Sequence, residues 1–248
     1  MIDEFDTHNL NRDVWLAHYL PAWSSLDSTK AQYKLSNSCL TLYISTDAQL
    51  WCADQHAEPL RVSGMQSGSY SGAVGTTLGQ QSFRDGLQVS QEQPRFVGWV
   101  AASGKVEIRC RMRLSSRSMA ALWLAGFEEK PDESGELCVV EVFGKSIVKN
   151  SVEIGMGIKS KNVPRLIDDF VAPRVAIDVS EFHTYSVVWD ERSAVFSVDG
   201  QVVHTCPQSL SYPLQIMIGV FDFPNWSNGV DVAHVPSFDI DWVRAEGQ

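Results

Sequence analysis

Polar and apolar residues alternate along several segments of the chain, most clearly over residues 105–114. The apolar positions are Val106, Ile108, Cys110, Met112 and Leu114, and the residues between them are Glu107, Arg109, Arg111 and Arg113. Successive side chains of a β-strand point to opposite faces, so a period of two predicts a strand with one buried and one wet face. The segment is therefore predicted to lie in a half-exposed sheet.

A second region, residues 184–203, predicts two successive β-hairpins. Its apolar residues 185–189 and 195–198 are separated by a polar turn, and the second run ends at Asp199-Gly200. Asp-Gly favours a type I′ turn because both central residues of that turn need a positive φ. The same pattern predicts further strands at residues 39–45, 120–126, 136–143, 152–158, 214–221 and 237–244.

The sequence shows no convincing amphipathic helix and no internal repeat. Residues 63–81 contain five glycines and predict a long exposed loop within one domain. A chain made of many strands buries its apolar faces by packing sheet on sheet. We therefore predict an all-β fold, an antiparallel two-sheet β-sandwich formed by a single domain over residues 1–248.

Composition narrows the classes of function. The 248 residues include 20 Lys and Arg against 30 Asp and Glu, a formal net charge of -10. Binders of nucleic acid or anionic membranes need a positive surface, so neither class is expected. No apolar run approaches the roughly 20 residues needed to cross a bilayer, and no signal peptide is visible. The five cysteines are too irregularly spaced for a disulfide framework or a zinc site, so buried free thiols are expected.

The candidate chemistry lies in residues 134–144, Ser-Gly-Glu-Leu-Cys-Val-Val-Glu-Val-Phe-Gly. In a regular strand Glu136 and Glu141 point to opposite faces, because they are five residues apart. A β-bulge at residues 139–140 would bring both glutamates and Cys138 to one face. Two carboxylates about 5 to 5.5 Å apart serve a retaining glycosidase as nucleophile and acid/base. Without further context, a polar strand face turned to water is the simpler interpretation.

Several motifs along nearly the whole chain follow the order of those in a known family. They are Asp3-Glu4-Phe5-Asp6, Gly104-Lys105-Val106-Glu107-Ile108-Arg109, Ala121-Leu122-Trp123-Leu124, Phe182-His183-Thr184-Tyr185 with Trp189, and Asp241-Trp242-Val243-Arg244. Residues 136–141 resemble the Glu-x-Asp-x-x-Glu signature of laminarinase-like members of glycoside hydrolase family 16. This resemblance implies the β-jelly roll of the concanavalin A-like lectin and glucanase superfamily, with a concave substrate cleft. It also implies endo-type cleavage of β-linked polysaccharides with retention of configuration.

The resemblance assigns roles to three residues of this segment. Glu136 would be the nucleophile and Glu141 the general acid/base. Cys138 stands where the family has Asp, and a neutral thiol lacks the charge and the strong hydrogen bonding of that group. The change is expected to alter how the nucleophile is ionised or oriented. Residues 119–121 replace Trp-Pro-Ala, and residues 155–156 replace a common His, so unusual sugar subsites are predicted.

Four more residues are candidate substrate contacts. Trp123 matches an aromatic residue of the family's cleft, and such a ring suits the apolar face of a sugar. Glu107 and Arg109 match positions that hydrogen-bond sugar hydroxyls. Phe143 shares the face of Glu141 by parity. The alternative for each is structural, either a core aromatic residue or a solvated row of charges.

Cofactors, partners and location follow from the resemblance alone. No cofactor is required and no catalytic metal is expected, although some members bind a structural Ca²⁺ near the positions of Asp241 and the amino-terminal acids. The expected partner is a polysaccharide or oligosaccharide substrate, with no nucleic acid and no membrane span. A monomer is expected. An extracellular location is typical of the family, and a cytoplasmic one stays open because no signal peptide is visible.

Three function classes remain open. The first is a retaining endo-β-glycanase acting on a polysaccharide of the β-glucan or galactan type. The second is a non-catalytic glycan-binding module in which Cys138 marks the loss of the chemistry. The third is a transglycosylase, which passes the glycosyl group to a sugar and not to water. The presence of both glutamates disfavours the second class, whereas the third differs from the first only in its acceptor.

Overall fold

The computed structural model describes residues 1–247 and consists of two large antiparallel β-sheets, with only short helices. The predicted all-β, two-sheet β-sandwich is confirmed. The first sheet has, in spatial order, β17 (Gln201–Cys206), β16 (Ala194–Val198), β15 (His183–Trp189), β8 (Gly104–Arg113), β19 (Ser237–Gly247), β3 (Leu40–Tyr43) and β2 (Tyr33–Leu35), with β1 (Ile2–Asp3) paired to β19.

The second sheet has seven strands. In spatial order they are β13 (Asp169–Val171), β12 (Gly155–Lys159), β10 (Glu136–Phe143), β9 (Ser118–Gly126), β18 (Leu214–Asp222) and β4 (Arg61–Gln66), with β7 (Val100–Ala101) paired to β18. Two small ribbons pair β5 (Gly68–Ser69) with β6 (Phe96–Val97) and β11 (Val152–Glu153) with β14 (Arg174–Val175).

The helices are single turns. One α-helix, α1, spans Leu26–Thr29, and 3₁₀ turns span Pro21–Trp23, Gly144–Ser146 and Pro224–Trp226. Within the described residues, none of these helices has the length and apolar character needed to cross a lipid bilayer.

The main hydrophobic core fills the space between the two sheets. Val106 and Ile108 enter it from β8, and Leu137 and Val142 enter it from β10. A second apolar cluster, which includes Trp123, covers the other face of the second sheet. Strands β9, β10 and β18 are therefore buried on nearly all sides. This explains why their sequences are almost continuous apolar runs and do not alternate.

Local sequence signals locate several elements correctly. Strand β10 covers the predicted residues 136–143. The predicted hairpin joins β16 to β17, and its turn residues Asp199 and Gly200 have φ values of 48° and 76°. The two positive values are those of a type I′ turn, so the prediction from Asp-Gly is confirmed.

Two sequence-based boundaries are wrong. Residues 63–81 are not one loop, since most of β4 lies among them and pairs with β18. Gly64 of β4 packs closely there, since a Cβ at this position would lie 3.1 Å from the backbone oxygen of Ile218. Residues 152–158 are not one strand either. Ile154 separates β11, which pairs with β14, from β12, which pairs with β10.

Candidate active site

Strand β10, which contains both candidate carboxylates, has a β-bulge. Cys138 and Val140 lie opposite the adjacent residues Trp123 and Leu122 of β9, so Val139 is an extra residue. The register against β12 shifts in the same interval. An extra residue reverses the alternation of side chains beyond it. The bulge predicted from the spacing of the glutamates is present.

The bulge determines which side chains point away from the first sheet. Leu137 and Val142 enter the core between the sheets, whereas Cys138 joins the apolar cluster on the opposite face. Glu136 retains 8% of its surface exposed, and Glu141 is half-buried. Both carboxylates are thus presented on one face of a well-packed strand, with Cys138 between them in sequence.

Each carboxylate has a lysine partner. Lys159 Nζ donates to Glu141 Oε2 at 2.8 Å, and Lys161 Nζ lies 3.2 Å from Glu136 Oε1. Burial lowers the pKa of Lys159, but the charge and hydrogen bond of Glu141 and the charge of Glu136 raise it, and its pKa lies above the ordinary value. Lys159 is therefore a fixed positive charge at neutral pH, beside the candidate acid/base.

Glycines in β12 allow this arrangement. A Cβ on Gly155 would lie 2.6 Å from the Phe170 ring and 3.1 Å from Glu141 Cβ. Gly157 has a φ of +126°, and a Cβ there would lie 2.1 Å from a backbone oxygen of β13. Because both side chains are absent, β13 packs closely and the Phe170 ring lies 4.6 Å from Lys159 Nζ.

Cys138 is a free thiol buried at the face that carries both glutamates. Its Sγ lies 4.0 Å from Glu141 Oε2. Burial, and then the negative charge of Glu141, raise the pKa of this thiol well above its ordinary value. Cys138 is therefore neutral at physiological pH and acts as a weak donor toward Glu141.

Beside Glu136, the second sheet opens into a cleft of about 690 Å³. Its aromatic walls are Tyr19, Trp51, Phe83 and Trp123. The ring centres of Tyr19 and Trp51, and those of Trp51 and Phe83, are 5.2 Å apart. This volume is typical of small-molecule sites, and aromatic rings suit the apolar faces of pyranoses. The structure places Trp123 in the wall of the cleft.

Another carboxyl group that lines the cleft, that of Glu128, was not predicted from the sequence. Its Oε1 accepts hydrogen bonds from the backbone N and from Nε2 of Gln81, both at 2.7 Å. Burial raises the pKa of Glu128 to about 7; the hydrogen bonds from Gln81 oppose this rise, and the nearby charge of Glu136 adds to it. Residues 127–130 resemble an ordinary polar turn, so no sequence signal separates Glu128 from its exposed neighbour Glu129.

At the other end of β10, Phe143, Phe223 and Trp226 form an aromatic shelf. The rings of Phe223 and Trp226 stack with centres 4.2 Å apart, and Phe143 lies 5.9 Å from Trp226. Lys145 Nζ lies 4.5 Å from the centre of the Trp226 ring. Since Trp226 is 41% exposed, the shelf is open to a ligand. Aromatic surfaces therefore occur toward both ends of β10.

Comparison with known proteins identifies the family of the chain. A family model described as glycosyl hydrolases family 16 matches residues 99–244, more than half of the chain. The chain belongs to this family. No curated protein sequence matches it.

Three solved structures show the fold shared with family 16. A GlcNAcα1-4Gal-releasing endo-β-galactosidase from Clostridium perfringens has a TM-score of 0.79 at 23% identity, over 99% of this chain and 60% of the other. SCLam, a non-specific endo-β-1,3(4)-glucanase, has a TM-score of 0.68 at 16% identity, over 99% and 89%. The catalytic domain of a laminarinase from Thermotoga petrophila RKU-1 has a TM-score of 0.65 at 15% identity, over 100% and 97%. The chain thus spans only 60% of the endo-β-galactosidase chain.

Glu107 and Arg109 do not lie in the cleft that Glu136 and Trp123 line. They are on β8, in the first sheet, on the face that points away from the core. Glu107 pairs with Lys105 at 2.8 Å, and Arg109 pairs with Asp241. Their prediction as substrate contacts is wrong. Alternation correctly indicated that they share a polar face, but it does not reveal which of the two sheets contains that face.

The structure locates the residues at which the sequence departs from the motifs of family 16. Met119 lies opposite Phe143 and belongs to the apolar cluster on the cleft face. Gly155 lies opposite Glu141, whereas Met156 is buried between the sheets. Of the two residues proposed to replace the common His, only Gly155 is therefore beside the site. The contact to Glu141 is made instead by Lys159.

The acids considered for a structural Ca²⁺ are held by protein donors. Asp3 accepts hydrogen bonds from Trp15 Nε1 at 2.8 Å and from the backbone N of Phe5 at 3.0 Å, and Asp241 pairs with Arg109. Among residues 1–247, these acids do not form a group of three ligands close enough for one ion.

Proposed function

We propose that the chain is a retaining, endo-acting glycoside hydrolase of a β-linked polysaccharide, with Glu136 as nucleophile and Glu141 as acid/base. The observation that supports this best is the bulge at Val139, which puts both glutamates on the face of β10 that points away from the first sheet. On that face Glu136 lines the cleft, and Glu141 lies farther along the strand. Membership of family 16 supports the class of reaction.

In the first step, Glu141 gives its proton to the glycosidic oxygen while Glu136 attacks the anomeric carbon. The bond from that carbon to the leaving oxygen breaks, and a glycosyl-enzyme ester forms. In the second step, Glu141 takes a proton from water, whose oxygen attacks the same carbon and releases Glu136. Two inversions give a product with the configuration of the substrate.

The lysine pairs fit these roles. Lys159 donates to Oε2 of Glu141 and so orients the candidate acid/base. Lys161 forms an ion pair with Glu136 at the cleft, and its positive charge compensates that of the candidate nucleophile. The neutral thiol of Cys138 adds no second negative charge beside them.

Endo action is supported by aromatic surfaces toward both ends of β10. Trp51, Phe83 and Trp123 line the cleft next to Glu136, and Phe143 and Trp226 form part of the shelf at the other end. A chain that continues past the cleaved bond can stack on both groups. The substrate class proposed is a β-glucan or a galactan. The names of the structural neighbours, an endo-β-galactosidase and two endo-β-glucanases, support this choice.

The test is a screen of the purified protein on a panel of β-glucans and galactans, with the released products identified. Glu136→Gln and Glu141→Gln should each lower turnover by at least about 10³-fold while the fold persists. Glu107→Gln, on the first sheet, is the matched control and should retain wild-type turnover. Wild-type turnover in Glu136→Gln or in Glu141→Gln would refute the assignment.

The two roles can be separated with azide, a small anion that replaces the lost carboxylate. Glu136→Ala should yield a glycosyl azide of inverted configuration, and Glu141→Ala one of retained configuration. Longer oligosaccharides in the wild-type products would indicate a transglycosylase. Binding without any product would indicate the non-catalytic module and contradict the hydrolase.

A further inference from the structure

Three metal-ligating side chains meet at one lateral edge of the sandwich, outside the cleft. Asp169 begins β13, an edge strand of the second sheet, and His204 and Cys206 lie on β17, an edge strand of the first. His204 and Cys206 are two residues apart, so the alternation of the strand turns both to the same side. Thr205, between them, is exposed.

These three residues are already in contact. His204 Nε2 lies 2.9 Å from Asp169 Oδ1, and Cys206 Sγ donates to the backbone oxygen of Asp169 at 3.5 Å. A carboxylate oxygen, an imidazole nitrogen and the sulfur lie within 4.8 Å of one another. Ligands of tetrahedral zinc are about 3.5 Å apart, given bonds of about 2.0 to 2.3 Å. Shifts of about 1 Å in the side chains would complete that geometry.

The types of donor select the class of metal. Calcium and magnesium take oxygen ligands, whereas zinc binds thiolate, imidazole and carboxylate together. Cys206 is fully buried and anchors the group from inside. Asp169 and His204 are half-buried, so their outer side is open to water, which can supply a fourth ligand.

We propose that Asp169, His204 and Cys206 form a zinc site that joins the edges of the two sheets. The spacing of the cysteines predicted no such site, because Asp169 is 35 residues from His204 in the chain and only the fold brings them together. Phe170, next to Asp169, contacts Lys159, so the zinc also fixes the strand that supports the candidate acid/base. The metal site does not depend on the catalytic assignment.

The test is a titration of the whole protein, stripped of metal with a chelator, with Zn²⁺ alone and with Co²⁺ alone. One equivalent of zinc per chain should bind and raise the Tm. The cobalt form should show the visible bands of tetrahedral coordination together with a thiolate-to-cobalt band in the near ultraviolet. Cys206→Ser should lose the thiolate band, and Asp169→Asn should weaken zinc binding by more than about tenfold.

The first sheet offers a matched control. His183 Nδ1 lies 2.7 Å from Asp199 Oδ2, a similar His–Asp pair that is not part of the metal-ligating group. His183→Gln and Cys39→Ser should therefore leave zinc affinity unchanged. Failure of the wild-type protein to bind one equivalent, or a thiolate band that persists in Cys206→Ser, would overturn the proposal. The wild-type titration and Asp169→Asn keep the test decisive if Cys206→Ser does not fold.

Discussion

Strands β8 and β10 both contain charged residues, yet they differ in what covers their two faces. In β8, buried residues alternate with half-exposed ones along almost the whole strand. In β10, only Glu141 and Phe143 are half-buried and the other residues are buried. A charged side chain on β8 has water as a neighbour, whereas each glutamate of β10 is mostly buried and pairs with a lysine. Burial on both faces separates β10 from β8, and the two glutamates separate it from the equally buried β9 and β18.

The ion pairs of the two faces differ in what lies beside them. On the first sheet, Arg111 and Arg113 both bond Asp239 Oδ2 at 2.8 Å, so arginines and aspartates compensate one another. On the second sheet, Lys161 and Glu136 pair at the margin of an aromatic cleft. Asp239 is at least as buried as the two glutamates of the second sheet, so burial does not separate the two groups of ion pairs. A pair beside a cleft can instead be used to bind or to transform a ligand.

The largest effect is expected from removing the bulge. Deleting Val139 restores regular alternation and turns either Glu136 or Glu141 toward the core between the sheets. Burying a carboxylate there should lower the free energy of unfolding by more than about 4 kcal/mol, as measured by chemical denaturation. Val139→Ala, which keeps the residue count, should lose only about 2 kcal/mol. A deletion variant with wild-type stability would show that the bulge does not set the faces of β10.

A smaller effect is expected from the lysine beside the candidate acid/base. Lys159→Met should lower kcat by about 10- to 100-fold with little change in KM, because Glu141 loses the donor that orients it. Lys105→Met is the matched control, since Lys105 pairs with Glu107 at the same distance of 2.8 Å on the first sheet. Its turnover should equal that of the wild type. Equal losses in both variants would mean that Lys159 acts only on stability.

The smallest effect concerns the pH dependence of stability. The pKa of Glu128 rises from an ordinary value of 4.5 to about 7 in the folded chain. Between these values the folded state binds the proton and the unfolded state does not, so stability falls as the pH rises from about 4.5 to 7. Glu128→Gln should remove about 1–2 kcal/mol of this fall, allowing for solvent screening. Chemical denaturation at pH 5 and at pH 7.5 measures the difference in the free energy of unfolding between these conditions. Glu129→Gln is the control and should keep the same difference as the wild type.

The sequence predicted the candidate site more fully than its surroundings. The spacing of Glu136 and Glu141 indicated a bulge, and the structure contains one at the expected residues. Lys159 and Lys161 were not identified, because the partner of a strand residue depends on register and not on its own sequence context. Glu128 was missed because its burial comes from chain segments distant in sequence, including Gln81.

The sequence by itself determined the local features of this protein. Alternation located β8, the Asp199-Gly200 pair located a hairpin, and an apolar run with two glutamates located β10. Only the tertiary structure decided which sheet each strand joins and what covers its outer face. The physical reason is that periodicity is a property of one strand, whereas burial, ion pairing and the cleft arise from contacts between segments far apart in the chain.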